Sequence, residues 1–233
     1  MSLAAAPSDV PGGRRVTLRR DATYELQAFW SRPGGEATLD KWVARSAAIE
    51  AVYGGSPLLA FQPVKALYGA YLPTLVRLLA WPDASAFDEL QHDQRYVQLV
   101  ARLDEGAAES TITLLQMHPE IHAYPDEVDI ALDERLCYEL CVFWDRPDAA
   151  PAAWDAFIAA ATPSIQAHGG HPLLVFEPLR RVRGDFFPTR YCIAAWDSVE
   201  HFESFVSAPE QEEISRLRWL AVSRMDATAT RLR

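Results

Sequence analysis

Two stretches decide the fold: ATYELQAFWSRP at residues 22–33 and LCYELCVFWDRP at residues 136–147, which share Tyr-Glu-Leu, Phe-Trp and Arg-Pro at the same spacing. Each is an aromatic and apolar run that stops at proline, a residue without a backbone donor that also restricts its predecessor, so each reads as a β-strand with a sharp end. Working outward, Pro11 matches Pro125 and Leu18 matches Leu132. After one inserted residue, Asp40 matches Asp155, Gly54-Gly55 matches Gly169-Gly170, Phe61 matches Phe176, Gly69 matches Gly184, Trp81 matches Trp196 and Phe87 matches Phe202. Ordered matches with one gap read as a duplication, at a period far above that of solenoid repeats, so each copy is expected to be a small domain. The expected division is a disordered tail at 1–10, a first repeat at 11–117, a linker at 118–124 and a second repeat at 125–233.

Each copy reads β-α-β-β-α-β. In the second, Trp154, Phe157, Ile158, Ala161 and Ile165 fall on one helical stripe that Gly169-Gly170 ends. PLLAFQP and PLLVFEP are short strands that return, after a glycine turn, as LVRLLAW and RYCIAAW. The second helix starts near Asp83 or Asp197, with an apolar face through Phe202, Phe205, Ile214, Leu217 and Leu220, and Pro209 marks a restart within it. STITLLQM and DATATRL close the copies, and HPEIHAYPDEV between them has linker composition. Such a unit is a ferredoxin-like four-stranded antiparallel sheet with both helices on one face. Because neither set of alternate residues in strand one is simply polar, the bare face needs a partner. The predicted fold class is therefore α+β: two tandem ferredoxin-like repeats whose sheets pack face to face within one chain.

Composition bounds the partners. With 49% hydrophobic residues the chain can bury a core without metals or disulfides. Its formal charge of −10 argues against nucleic acid and anionic membrane surfaces. The absence of a long apolar run or of a signal-like start predicts a cytoplasmic protein. Three cysteines without a CxxC predict reduced core thiols, Cys141 and Cys192 facing each other across adjacent strands.

The residues also carry a family resemblance. HGGHPLL (168–174), the Pro188-x-Arg190 opening of strand three, Trp196-Asp197-Ser198 and HFESFVSAPEQ (201–211) resemble the dimeric α/β-barrel superfamily, especially its small bacterial domains of unknown function and NIPSNAP-like relatives. The first copy departs from that pattern at Leu75 and at HDQR (92–95). The resemblance implies an intramolecular barrel with a cleft, in a superfamily that holds cofactor-independent monooxygenases, isomerases, cyclases and haem-binding proteins.

Glu25 and Glu139 sit mid-strand in both copies, where partial burial would raise a carboxyl's pKa and suit it to acid/base work; a salt bridge to Arg77 or Arg190 is the plain alternative. Arg190 could hold a substrate anion. His171, beside Gly169-Gly170, could act as a base or, like His168, as a haem ligand; a surface histidine is the plain alternative. Arg32 and Arg146 end strand one at the rim, and Trp144 and Trp196 could line an apolar pocket, or cap carbonyls and pack the core. His118 and His122 are assigned to the linker. No spacing of His, Cys, Asp and Glu specifies a metal site, and neither metal nor cofactor is expected. The expected function is binding of a small apolar or aromatic molecule in the barrel cleft, with Glu139 as acid/base, Arg190 as anion holder and His171 as a further catalytic candidate. Glu25, Arg32, Arg77, Arg146, Trp144 and Trp196 are the expected ligand contacts. A non-catalytic binding or scaffold protein is the alternative, haem binding a third reading, and a homodimer is possible.

Overall fold

Alternation along the Tyr-Glu-Leu strands sets the architecture. In β2 (Thr23–Ser31) the side chains of Tyr24, Leu26 and Ala28 join one apolar cluster with Tyr138, Leu140 and Val142 of β7 (Cys137–Asp145), while Phe29 faces Leu39 and Trp42 of a helix. Successive strand residues point to opposite faces, so Glu25 and Gln27 lie with Phe29 on the helix side. The computed structural model describes residues 14–118, 126–150 and 152–233; the expected tail at 1–10 and linker residues 119–124 lie outside them.

The first half runs β2, α1 (Glu36–Glu50), β3 (Ser56–Tyr68), β4 (Leu75–Trp81), α2 (Ala84–His92), α3 (Gln94–Val100) and β5 (Ala107–Met117). The second runs β7, α4 (Ala153–Ala167), β8 (Gly170–Arg183), β9 (Arg190–Trp196), α5 (Val199–Val206), α6 (Gln211–Ala221) and β10 (Val222–Leu232). Eight strands close into a barrel in the order β10-β3-β4-β2-β5-β8-β9-β7. Each half supplies four neighbouring strands, and the seams are the antiparallel pairs β10–β3 and β5–β8. Closure leaves no unpaired edge in the barrel.

The barrel interior is packed across the halves. Tyr24 meets Phe176 at 5.2 Å between ring centroids, and Tyr138 meets Phe61 at 5.6 Å. A void of about 10 Å³ lies there, among Leu26, Leu140, Phe176 and Tyr191. At this point the aromatic and aliphatic side chains of both halves leave room for about one water molecule.

Sequence reading missed two strands. β1 (Arg14–Arg19) and β6 (Glu127–Leu132) form an antiparallel ribbon, with Val16 opposite Ile130, and their apolar side chains join the barrel cluster. The start of β6 overlaps the segment read as linker. The ribbon is tied down at both ends: the Arg19 N–H donates to the Tyr24 hydroxyl, and the Asp133 N–H to the Tyr138 hydroxyl. Two further details differ. The second helix of the second half is capped by Ser198 rather than Asp197, and it breaks at Pro209 into α5 and α6 as expected. Leu220, expected on its buried face, is exposed.

Candidate functional site

The space between sheet and helices is filled differently in the two halves. In the first, Gln27 on β2 lies opposite Arg77 on β4, and Glu50 reaches them from the end of α1. The Arg77 guanidinium donates to Gln27 Oε1 at 2.7 Å, to Glu50 Oε2 at 3.1 Å and to Ser46 Oγ at 3.3 Å. Gln27 Nε2 donates to Glu25 Oε1 at 2.7 Å, and Trp81 Nε1 donates to Glu25 Oε2 at 3.0 Å. Glu25, Gln27, Glu50 and Ser46 are fully buried and Arg77 nearly so. The guanidinium thus pairs with one carboxylate, Glu50, and is linked to Glu25 only through the Gln27 amide.

Burial, with the Glu50 charge nearby, pushes the Glu25 carboxyl up from 4.5 to about 7. Below pH 4.5 Glu25 is protonated whether the chain is folded or not. Between 4.5 and about 7 the folded state keeps a proton that the unfolded chain releases, so this contribution to stability is lost as pH rises through that window. Thermal unfolding between pH 5 and 8 should therefore show a falling midpoint, and Glu25→Gln should flatten the fall; an unchanged slope would remove Glu25 as its source.

In the second half every partner in this plug is replaced. In the register that pairs Gly54 with Gly169 and Phe87 with Phe202, Cys141 stands for Gln27, Cys192 for Arg77, Ile165 for Glu50 and Ala161 for Ser46. Cys141 and Cys192 are cross-strand partners, as Gln27 and Arg77 are. Only Glu139 and Trp196, the counterparts of Glu25 and Trp81, persist. The result is a cavity of about 120 Å³ between β7, β8 and β9 and helices α4–α6, lined chiefly by Phe157, Ile165, Cys141, Cys192 and Ile214, with Glu139 in its wall.

Trp196 Nε1 donates to Glu139 Oε2 at 2.9 Å, and the Cys141 thiol donates to Oε1 at 2.9 Å. Burial raises the Glu139 carboxyl above its usual range, and these two donors only partly oppose the shift. Burial also pushes both thiols up, and the Glu139 charge pushes Cys141 further, so they remain thiols rather than nucleophilic thiolates. A lone carboxyl of raised pKa in an apolar cavity is suited to taking or giving a proton.

The other predicted site residues are placed elsewhere. Arg190 lies opposite Phe143, not Glu139; it pairs with Asp145 at 3.2 Å, contacts His118 and sits 4.5 Å over the Trp154 ring. Its charge is matched within the chain by Asp145, with Glu177 at 3.8 Å, and it does not line the second-half cavity. His118 is buried and reaches Glu177 at 2.6 Å, so it belongs to this polar cluster rather than to a linker. His122 lies outside the described residues. His171, half-buried opposite Ala195 on β8, is not in the cavity wall. His168 Nδ1 lies 2.8 Å from the Ser164 carbonyl. With neither histidine lining it, a cavity of about 120 Å³ does not fit a haem and its axial ligand.

Arg32 donates to the Asp104 carbonyl at 2.7 Å, and Arg146 pairs with exposed Asp148. Trp144 packs against Phe186 beneath the Arg224 guanidinium, while Trp196 lies behind Glu139 and orients it. Glu25 and Arg77 are held inside their own network and do not line this cavity. The thiol pair was visible as a pairing, but its meaning was not: only the contrast with Gln27 and Arg77 marks it as cleared space. Gln211 and Arg218 of α6, which also line the cavity, were missed because nothing in the helical pattern separates them from solvated side chains.

Residues 149–230 match a family model described as a domain of unknown function, DUF1330; the span holds Cys192, Gln211 and Arg218 but stops short of Glu139. No curated protein matches the chain. Solved structures match along almost its whole length. An anthrone oxidase-like protein superposes with a TM-score of 0.65 at 14% identity, covering 94% of each chain. A variant chlorite dismutase from Candidatus Nitrospira defluvii gives 0.57 at 8% identity, over 93% of each chain. A candidate monooxygenase from Fusobacterium nucleatum gives 0.52 at 11% identity, over 92% of this chain and 94% of that one. The fold is the dimeric α/β barrel. In this dimeric α/β barrel one chain supplies both four-stranded sheets. No helix among the described residues is long and apolar enough to cross a membrane.

Proposed function

We propose that the protein binds a small apolar or aromatic molecule in the second-half cavity, and that Glu139 moves a proton on it as the acid/base of a cofactor-independent monooxygenation, isomerisation or cyclisation. The observation that carries this reading is the exchange of the Gln27–Arg77–Glu50 plug for Cys141, Cys192 and Ile165 around a retained carboxyl. A core that merely needed filling would be expected to keep either the ion pair or bulky apolar residues, because open space in a core costs about 24 cal/mol per Å³. A cavity of about 120 Å³ is close in size to an engineered one of roughly 150 Å³ that takes up benzene. That limits the ligand to about one ring. The likeness to an anthrone oxidase-like protein and a candidate monooxygenase agrees with small-molecule chemistry on this fold. We further read the two halves as diverged copies of one unit, on the sequence matches from Tyr24/Tyr138 to Phe87/Phe202.

The test fills the space. Ala161 is buried on α4 in the cavity wall, and Ala161→Phe should lower the affinity for single-ring aromatic probes by about tenfold or more in titration calorimetry, while a cooperative thermal transition is kept at a cost of about 1–3 kcal/mol. Equal binding by wild type and variant, or no binding by wild type, would overturn the cavity as the ligand site.

A further inference from the structure

We propose that Cys141 and Cys192 form a peroxide-driven switch on Glu139: hydrogen peroxide joins the two thiols across β7 and β9 and so removes the donor on Glu139 Oε1. The modification itself rests on the strand register; its effect on chemistry rests on Glu139 being the acid/base of the cavity. The two cysteines lie directly opposite each other in antiparallel β7 and β9, and both line the cavity. Opposite residues share a face and place their Cα atoms roughly 4.5 or 5.5 Å apart, inside the roughly 4.4–6.8 Å that a disulfide spans. Side-chain rotation therefore closes the bond without a slip of either strand. In the first half the same register pair meets side chain to side chain, with Arg77 donating to Gln27 Oε1 at 2.7 Å. A charge on Cys192 also acts on the Cys141 thiol. Clearing the plug required only small side chains, which alanine or serine would supply as well; two thiols facing each other add a pair that can bond.

Burial holds both cysteines as thiols at rest, so attack on peroxide needs a base. The base is already in place, because the Cys141 thiol donates to Glu139 Oε1 at 2.9 Å. Cys141 Sγ attacks one oxygen of the peroxide: the S–O bond forms, the O–O bond breaks, and Glu139 takes the thiol proton and passes it to the departing hydroxide, which leaves as water. Cys192 Sγ then attacks the Cys141 sulfur; the S–S bond forms, the S–O bond breaks, and a second water carries off the Cys192 proton. Two thiols lose two electrons and one peroxide gains them, giving one disulfide and two waters. The disulfide has no S–H. Of the two donors on the carboxyl only Trp196 Nε1 is left, on Oε2. A hydrogen bond to the charged form favours that form, so its loss pushes Glu139 further toward the protonated state. In the first half the donor at this place is the Gln27 amide, which peroxide does not oxidise. The switch therefore belongs to the second half.

The test treats the full chain with a few-fold excess of hydrogen peroxide at pH 8, then maps its thiols by alkylation in urea and mass spectrometry. The expected product is a linked pair of peptides holding Cys141 and Cys192, lighter by two hydrogens, with Cys137, which lies opposite Trp196, still open to alkylation. Dithiothreitol should reverse the link, and Cys192→Ser should abolish it. The effect on Glu139 is read by carboxyl carbon NMR on glutamate-labelled protein, with Glu139→Gln assigning the signal. Oxidation should raise the titration midpoint of that signal by about half a pH unit or more. Cys141→Ala should raise it without peroxide and leave it insensitive to peroxide, and a cooperative thermal transition checks that each species is folded. Alkylation of both Cys141 and Cys192 after treatment overturns the proposal. A disulfide that leaves the Glu139 midpoint where it was overturns it too. A shifted midpoint with unchanged exchange of the methyl protons of acetophenone upholds the switch and overturns Glu139 as the acid/base instead.

Discussion

Glu139→Gln is expected to slow proton transfer to and from a bound ligand by about 10²–10⁴-fold while leaving its affinity within a few-fold. Glutamine keeps an acceptor for Trp196 Nε1, so the wall of the cavity is preserved; what it loses is the ability to take a proton. The measurement is the protein-dependent exchange of the methyl protons of acetophenone in deuterium oxide, followed by NMR, beside calorimetric binding of the same compound. The sign of the pH profile follows from burial. A base works deprotonated, and burial holds the Glu139 carboxyl above its ordinary range, so the wild-type rate should rise with pH through a midpoint above 4.5. Exchange that Glu139→Gln leaves unchanged would remove this residue from the chemistry.

Arg77→Met should lower folding stability by about 3–5 kcal/mol. The methionine can occupy the stem of the arginine, but Glu50 then has no cation and Gln27 Oε1 loses its donor, all in a region with essentially no exposure. Urea unfolding at pH 7.5 measures the loss. Adding Glu50→Gln should restore a large part of it, because the uncompensated charge, more than the missing pair, is what destabilises; a double variant no better than the single would refute that account. Arg190, which also sits among carboxylates but remains partly exposed, should cost less when replaced, since solvent screens the groups left behind.

These two experiments act on the same layer of the fold, in its two halves, and show how much of it was legible beforehand. Strand and helix order could be read because periodicity is local: the alternation in ATYELQAFW, the stripe from Trp154 to Ile165 and the break at Pro209 each depend on neighbours in sequence. β1 and β6 escaped because RRVTLR and EVDIAL are short, and half of their residues are charged or polar. Their burial comes only from lying against each other on the barrel core. Arg190 was misjudged for a related reason. Its neighbour across β7 and β9 is Phe143, while the anions that hold it, Asp145 and Glu177, come from other strands, and the register that joins them is not written in any one segment.

By itself, the sequence determined the β-α-β-β-α-β order within each half, the pairing of strand one with strand three, and the mid-strand carboxylates Glu25 and Glu139. Tertiary structure decided which face of each strand met helices, that Tyr24 would meet Phe176 and Tyr138 would meet Phe61 across the two halves, and that one carboxylate would sit inside a closed network and the other beside open space. The physical reason is that secondary structure follows from local spacing, whereas burial, pKa and cavity volume depend on which distant side chains meet; Arg77 and Cys192 hold the same place in the register, and only the fold shows that one meets Gln27 and Glu50 while the other borders open space.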